Sequence, residues 1–244
     1  HTYEEFLNTY SLARKVGFNN INADLIIGLP KQTIADVENS VNELVNLKLE
    51  HISVYSLILE EGTMLEELVR SGKLKLPEDK EERNMYWKVK NILEKNGYNH
   101  YEISNFAKHG SESKHNLDCW KQKEYVGFGV AAHSYTNGVR YSNIENIEEY
   151  IKNYEEGKEE DNFVFHEKQT HNMKVKEYMM LGLRKIEGVC IQEFKEKFAA
   201  NPIFVFKTEL EKLVNEELLE VNGDYIKLTN KGLDLANLVW EEFV

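Results

Sequence analysis

His115 and Cys119 stand four residues apart in His115-Asn116-Leu117-Asp118-Cys119-Trp120, the spacing that puts two side chains on one face of a helix. An imidazole and a thiol so placed suit a metal ion or the axial position of a heme iron, and Trp120 beside them offers an indole to stack on a planar macrocycle. Zinc would require two more ligands, which the sequence around the pair does not supply. A purely structural pair is the alternative. Further on, Gly127-Phe128-Gly129-Val130-Ala131-Ala132-His133-Ser134 joins a histidine to small residues that let a backbone approach a ligand closely. Asp24 lies within the apolar run Ile21 to Ile27, where a carboxylate is costly unless it is paired or reaches a cleft. Near a strand end it would accept hydrogen bonds from a ribose or another hydroxylated ligand; the alternative is a bond to neighbouring backbone. Glu102, in Tyr101-Glu102-Ile103-Ser104-Asn105-Phe106-Ala107, reads as a site carboxylate or as a solvated strand position. The two cysteines, Cys119 and Cys190, are 71 positions apart and cannot form a Cys-x₃-Cys-x₂-Cys cluster motif. They give no disulfide framework and fit a reducing compartment.

The elements that must hold these residues alternate at first. Thr2 to Gly17 reads as a helix with the stripe Phe6, Tyr10, Leu12 and Ala13, closed by glycine. The runs Ile21 to Ile27 and His51 to Leu59 read as strands, nearly continuous in apolar residues, as expected for parallel strands covered on both faces. Between them Thr33 caps a helix with the stripe Val37, Val41, Leu44 and Val45. Leu57 to Pro77 is a long connection with a short helix, Met64 to Arg70, followed by a helix over Met85 to Leu93 and a third strand over Tyr101 to Phe106. Strand–helix alternation of this length implies parallel βαβ construction. A polar helix over Ile144 to Tyr154 runs into the acidic stretch Glu155 to Asp161, the expected domain boundary, giving domains 1–160 and 161–244. The tail has a winged-helix layout: helices over Glu167 to Arg184, Ile191 to Phe198 and Phe204 to Glu217, a hairpin around Asn222-Gly223, and a last helix capped by Thr229.

Charge narrows the function classes. The 244 residues carry a formal net charge of −12, which repels phosphate backbones. Winged helices often bind DNA, but from Asp161 onward there are 15 acidic residues against 11 lysines and arginines. The candidate recognition helix holds Glu209, Glu211, Glu216 and Glu217, so the tail reads as a packing or partner module and not a nucleic-acid reader. No apolar run is long enough for a membrane span, no basic and apolar leader opens the chain, and the cytoplasm is the default.

Read together, the blocks resemble a known family. Asn22-Ala23-Asp24-Leu25-Ile26-Ile27-Gly28-Leu29-Pro30 with Gln32-Thr33, His51-Ile52-Ser53-Val54-Tyr55-Ser56-Leu57, and Tyr101 to Ala107 are similar to successive blocks of the oxygen-independent coproporphyrinogen III oxidase family of radical S-adenosylmethionine (SAM) proteins. His115-Asn116-x-x-x-Trp120, the Gly-x-Gly-x-Ala-Ala-His-Ser run and Glu177-x-x-x-Leu181-Gly182-Leu183-Arg184 point to its heme-chaperone (HemW-like) branch. The resemblance implies an α/β fold: a partial (βα)₆ barrel followed by a small, mainly helical, winged-helix-like domain. It also implies SAM and a 4Fe–4S cluster as cofactors, with Asp24 on the SAM ribose and Ile58 and Ala132 lining the adenosyl pocket. His115 would be the heme ligand, with Trp120 beside it. Cys119 stands where the branch has tyrosine, which would add a thiolate. The family's cluster cysteines and glycine-rich SAM segment are expected ahead of His1, so the chain reads as the C-terminal two-thirds of such a protein and by itself as catalytically silent. The implied partners are heme or a porphyrinogen and a heme-acceptor protein, with coproporphyrinogen oxidation as the alternative activity and a non-catalytic α/β piece with a partner-binding tail as a second. A strand edge near Ile21 to Ile27 would be left open to self-association.

Overall fold

Thr2 accepts a hydrogen bond from the Glu5 backbone N–H while the Glu5 carboxylate accepts one from the Thr2 N–H, and this reciprocal cap opens α1 (Tyr3–Val16). Gly17, at φ 105°, closes it. Thr33 and Asp36 cap α2 (Ile34–Asn46) in the same way. The computed structural model describes residues 1–244, which divide into two compact units, His1–Ser113 and Lys114–Val244. The division falls after Ser113, not near residue 160.

In the first unit β1 (Asn22–Ile27), α2 and β2 (His51–Ser56) make a parallel β–α–β turn, with Asn22 opposite His51 and Ile27 opposite Ser56. The long connection holds α3 (Met64–Arg70), and α4 (Asp79–Lys95) follows. Then comes a hairpin, β3 (Asn99–Glu102) and β4 (Asn105–Ala107). The expected third parallel strand over Tyr101 to Phe106 is therefore two short strands, because the chain reverses at Ile103-Ser104; β4 runs antiparallel to both β2 and β3, and the sheet order is β1-β2-β4-β3. The sheet is also covered on one face only at β1. Ala23, Leu25 and Ile27 pack with Val37 and Val41 of α2, Ile52 and Val54 of β2, and Met85, Val89 and Leu93 of α4. Burying each large member stabilises the unit by about 2 kcal/mol. Asn22, Asp24 and Ile26 point the other way and are exposed, so burial along β1 alternates strictly. In α1 the apolar stripe is Phe6 and Tyr10; Leu12 is exposed.

The second unit begins with α5 (Lys114–Trp120). An antiparallel sheet follows, β5 (His133–Thr136), β6 (Val139–Asn143) and β7 (Phe163–Lys168), in that spatial order, with α6 (Ile147–Glu155) and a 3₁₀ turn (Glu159–Asn162) between the last two. The acidic stretch is thus internal to this unit. Asn162, fully buried, accepts a hydrogen bond from the Asn153 amide at 2.9 Å and ties it down. Glu167 and Lys168 lie in β7, so the next helix, α7 (His171–Gly182), starts later than the sequence pattern suggests; Thr170 caps it. The tail then runs through β8 (Val189–Cys190), α8 (Ile191–Phe198), α9 (Pro202–Val205), α10 (Lys207–Asn215), β9 (Leu219–Asn222), β10 (Tyr225–Leu228), α11 (Asn230–Asp234) and α12 (Ala236–Glu241). Helix, strand, helices and hairpin in this order form the winged-helix layout, with β10 between β8 and β9. The last helix is broken at Leu235. Gly188, at φ 85°, must be glycine: a Cβ there would lie 2.2 Å from the Ile226 carbonyl oxygen.

His100 of β3 is buried, stacked on Phe106 at 4.4 Å between ring centroids, and its Nδ1 has no hydrogen-bond partner. Burial lowers its pKa to about 4. Above pH 6.5 the ring is neutral in both folded and unfolded chains. As pH falls from there towards 4, the unfolded chain takes up a proton that the folded one refuses, and stability is lost, by about 2 kcal/mol at pH 5. Urea unfolding at pH 7 and pH 5 measures this loss. His100→Gln should flatten the pH dependence; equal slopes in the two proteins would sink the assignment.

Candidate functional site

The face of the first sheet turned away from α2 and α4 carries a polar row fixed by strand register. Asn22 and Asp24 of β1 sit beside His51 and Ser53 of β2, which face Ala107 and Asn105 of β4. The Asn22 amide donates to the Asp24 carboxylate at 2.7 Å. The Asn22 carbonyl oxygen lies 2.7 Å from Nδ1 of His51 and also accepts from the Ser53 hydroxyl at 3.2 Å. Nε2 of His51 lies 2.7 Å from the Tyr101 hydroxyl, whose oxygen accepts the Ser113 backbone N–H at 3.2 Å. An amide oxygen can only accept, so the proton of a neutral His51 sits on Nδ1, and Tyr101 donates to Nε2. Burial pushes the His51 imidazole below its ordinary pKa, against the pull of Asp24 and Glu112. Burial likewise raises Tyr101 to about 12, so it remains a donor. The five groups form a directed chain, Ser113 to Tyr101 to His51 to Asn22 to Asp24. It ends on an exposed carboxylate with one oxygen engaged.

Glu102 is not solvated. It is 1% exposed and accepts from the Ser104 N–H at 2.9 Å and the Asn105 amide at 2.5 Å, bracing the β3–β4 turn. Past β1, Gly28 at φ 79° turns the chain; a Cβ there would press on the Glu82 side chain at 3.2 Å.

In the second unit, α5 places His115 and Cys119 on one face, with Nε2 3.8 Å from Sγ and the imidazole and Tyr125 rings set edge-to-face, 6.4 Å between centroids. His115 is exposed. Burial, aided by Asp118, raises the Cys119 pKa, which favours a thiol over the thiolate a metal would need. One face of the Trp120 indole is already covered: the Arg184 guanidinium lies 4.4 Å from its ring centroid and 4.7 Å from that of Trp240. A macrocycle has only the other face of Trp120 to meet. The end of α5 is held from several sides. The Gln122 amide donates to Glu177 at 2.7 Å and to the Lys174 carbonyl at 3.1 Å, and the Lys197 ammonium donates to the Lys121 and Gln122 carbonyls. Glu177 also takes Arg140 at 2.5 Å and the Gln169 amide at 2.8 Å.

These features have relatives. Residues 169–235 match the HemN C-terminal domain family. Over the whole chain the sequence is 38% identical to the heme chaperone HemW of Lactococcus lactis, of which it covers 63%. It is also 38% identical to the heme chaperone HemW of Bacillus subtilis, again over the whole chain and 64% of that protein. The chain is similar along its whole length to HemW proteins and carries a match to the HemN C-terminal domain. The structure of coproporphyrinogen III oxidase (HemN) from Escherichia coli, a radical SAM enzyme, superposes with a TM-score of 0.77 at 19% identity, covering all of this chain and 59% of that one. That likeness establishes the α/β fold. The chain thus spans under two-thirds of the length of the relatives it matches.

Against the residues expected for a HemN/HemW-like site, the fold separates two groups. Asp24 and Ile58 belong to the first unit; Ala132, His115 and Trp120 belong to the second. Asp24 stands on the polar sheet face. Ile58 lies two residues past the end of β2 and is 76% exposed. Ala132 lies in the turn before β5, where its carbonyl accepts the Asn143 N–H. The close approach that its glycine-rich run provides is internal: a Cβ on Gly127 would lie 2.3 Å from the His133 carbonyl oxygen. His133 stacks on His166 at 5.2 Å between centroids, and the two parallel rings share no third ligand. Sequence reasoning did not single out Asn22, His51, Ser53 and Tyr101 as site residues. Their signal is the polar alternation at 22 and 24, and at 51 and 53, inside strands that read as nearly continuous in apolar residues.

Because Glu177 is the shared acceptor that holds the end of α5, Glu177→Ala should destabilise the protein by about 2 kcal/mol, with Glu177→Gln milder. Urea unfolding of both variants checks this, and an unchanged midpoint for the alanine variant would rule out the clamp.

Proposed function

We propose that the chain binds heme and passes it to an acceptor protein, and that the polar face of its first sheet holds SAM. The observation that carries this reading is identity of 38% along the entire chain to two heme chaperones, joined to an exposed imidazole on a helix anchored at its far end. His115 suits an axial iron ligand because it is exposed and Cys119, 3.8 Å from its Nε2, is only a weak hydrogen-bond partner. Cys119 fits less well, as its thiol is held protonated. Asp24 suits the ribose of SAM: one oxygen is fixed by Asn22 and the other is available to a hydroxyl. The residues present do not fit a 4Fe–4S cluster, since no three His, Cys, Asp or Glu side chains gather at one place. That cofactor of the family is therefore assigned to no residue of this chain.

No helix is long and apolar enough to cross a membrane. With two free cysteines and a net charge of −12, we place the protein in the cytoplasm, apart from nucleic acid. The outer edge of β1 has no paired strand, which favours association of two copies through that edge. Sedimentation at rising concentration should show a dimer, and a clean monomer would remove that part of the proposal.

Heme titration followed by UV–visible absorption tests the central claim. Saturable binding with a Soret shift is expected for the parent chain and for Cys119→Ser, and loss of the shift for His115→Ala. Equal spectra for the parent and the His115 variant would overturn His115 as ligand. A changed spectrum for Cys119→Ser would restore the thiolate.

A further inference from the structure

We infer that His51 is a positioning residue for Asp24: its Nδ1–H fixes the Asn22 amide so that Asn22 donates to one carboxylate oxygen and leaves the other for a ligand's vicinal diol. The inference rests on the reading of Asp24 as a ribose acceptor and adds to it the device that orients the carboxylate.

Asn22 and Asp24 are both exposed, on the edge strand of the sheet. An exposed asparagine amide turns freely unless something distinguishes its two ends. Here both ends are assigned. The carbonyl oxygen receives His51 Nδ1 at 2.7 Å and the Ser53 hydroxyl at 3.2 Å, and the NH₂ is thereby turned towards Asp24 at 2.7 Å. A flipped amide would set its NH₂ against the His51 N–H and its oxygen against the carboxylate, losing every one of these bonds. His51, in turn, is 7% exposed, and with Nδ1 donating to Asn22 its Nε2 accepts from the Tyr101 hydroxyl at 2.7 Å. The Tyr101 oxygen is held by the Ser113 backbone N–H. A buried imidazole bonded at both ring nitrogens therefore directs two exposed groups, one of them only through the other. Its direct contact is with Asn22 and Tyr101, so its role towards a ligand is exerted entirely through Asn22.

The groups that face His51 are Asn22 and Asp24 from β1, Ser53 from β2, Tyr101 from β3, and Glu112 in the segment before α5. Neither carboxylate is in hydrogen-bond contact with the ring, so neither competes for Nδ1. Keeping an N–H at the Nδ1 position is then the whole requirement. Asparagine at position 51 satisfies it with its side-chain amide, and alanine does not.

Two measurements on the full 244-residue chain test the inference. The first needs no ligand: ¹⁵N spectra of the histidine rings should show the His51 proton on Nδ1 at neutral pH. In Asn22→Ala the ring should drift to a mixture of tautomers. A proton found on Nε2 in the parent chain would overturn the inference outright. The second uses adenosine and 2′-deoxyadenosine as probes, titrated by NMR. The parent chain should prefer adenosine by about tenfold, the scale of one hydrogen bond to a charged group. The preference should vanish in Asp24→Asn, fall to about twofold to threefold in His51→Ala, and return in His51→Asn. A merely structural role for His51 would weaken both nucleosides alike and leave their ratio untouched. No preference in the parent chain would remove the reading of Asp24 as a diol acceptor. A preference lost in Asp24→Asn but intact in His51→Ala would leave that reading standing and overturn the role of His51.

Discussion

The parallel register of β1 against β2 is the constraint on which the first unit depends. Asn22 opposite His51 puts every second residue of both strands on one face, and helices α2 and α4 cover only the other. A slip of one residue would bury Asp24 and expose Leu25, at a cost far beyond what any surface hydrogen bond returns. The core residues Ala23, Leu25, Ile27, Ile52 and Val54 thus determine, by being buried, where the polar row must stand. Stability and site geometry come from the same alternation. The polar row then needs little energy of its own, since its members are placed by residues that do not belong to it.

The second unit solves a different problem. A helix of seven residues is too short to hold its own position. Its end is held by charge and hydrogen bonding instead: Lys197 donates to the Lys121 and Gln122 carbonyls just past Trp120, Glu177 collects Gln122, Gln169 and Arg140, and Arg184 lies between Trp120 and Trp240. All of these partners lie beyond α5, and His115, at its first turn, is left exposed. The winged-helix tail contributes Glu177, Arg184 and Lys197 to this clamp. That gives the tail a reason to be present that does not involve nucleic acid.

Much of this was legible in the residues, and the failures have physical causes. Capping signals were read correctly at Gly17, Thr33 and Thr229, because a helix cap is local chemistry. The hairpin at Gly223 and the helix Ile191–Phe198 were legible for the same reason. Sheet coverage was not: Asn22-Ala23-Asp24-Leu25-Ile26-Ile27 contains Ile26 on the open face, and an apolar residue facing outwards erases the alternation that marks a one-sided strand. The turn at Ile103-Ser104 contains neither glycine nor proline and depends on Glu102 accepting from Ser104 and Asn105, a buried-carboxylate device with no sequence signature. The acidic stretch before Phe163 looked like a linker by charge alone, and the pair Asn153–Asn162 that fixes it lies nine residues apart. At the site, Asp24 and His115 stood out as unusual residue types in their settings. The histidine that orients Asp24 did not, because its importance lies in a tautomer, and a tautomer is set by three-dimensional neighbours.

The polar chain and the α5 cluster differ in how their groups are prepared for ligands. Along the sheet face each donor is already matched to an acceptor, from the Ser113 N–H to the Asp24 carboxylate, so a ligand meets a surface that has no reorganisation left to perform. The ligand proposed for that site, a pair of hydroxyls, would be held in a fixed direction. On α5 the imidazole is instead exposed and only loosely engaged with a neutral thiol, and one face of the neighbouring indole is already taken. A lightly restrained single ligand binds iron less tightly than a caged pair would, and a group meant to be passed onward must be released again. The tight matching around Asp24 suits a cofactor that stays. The light restraint on His115 would suit the proposed cargo, which has to leave again.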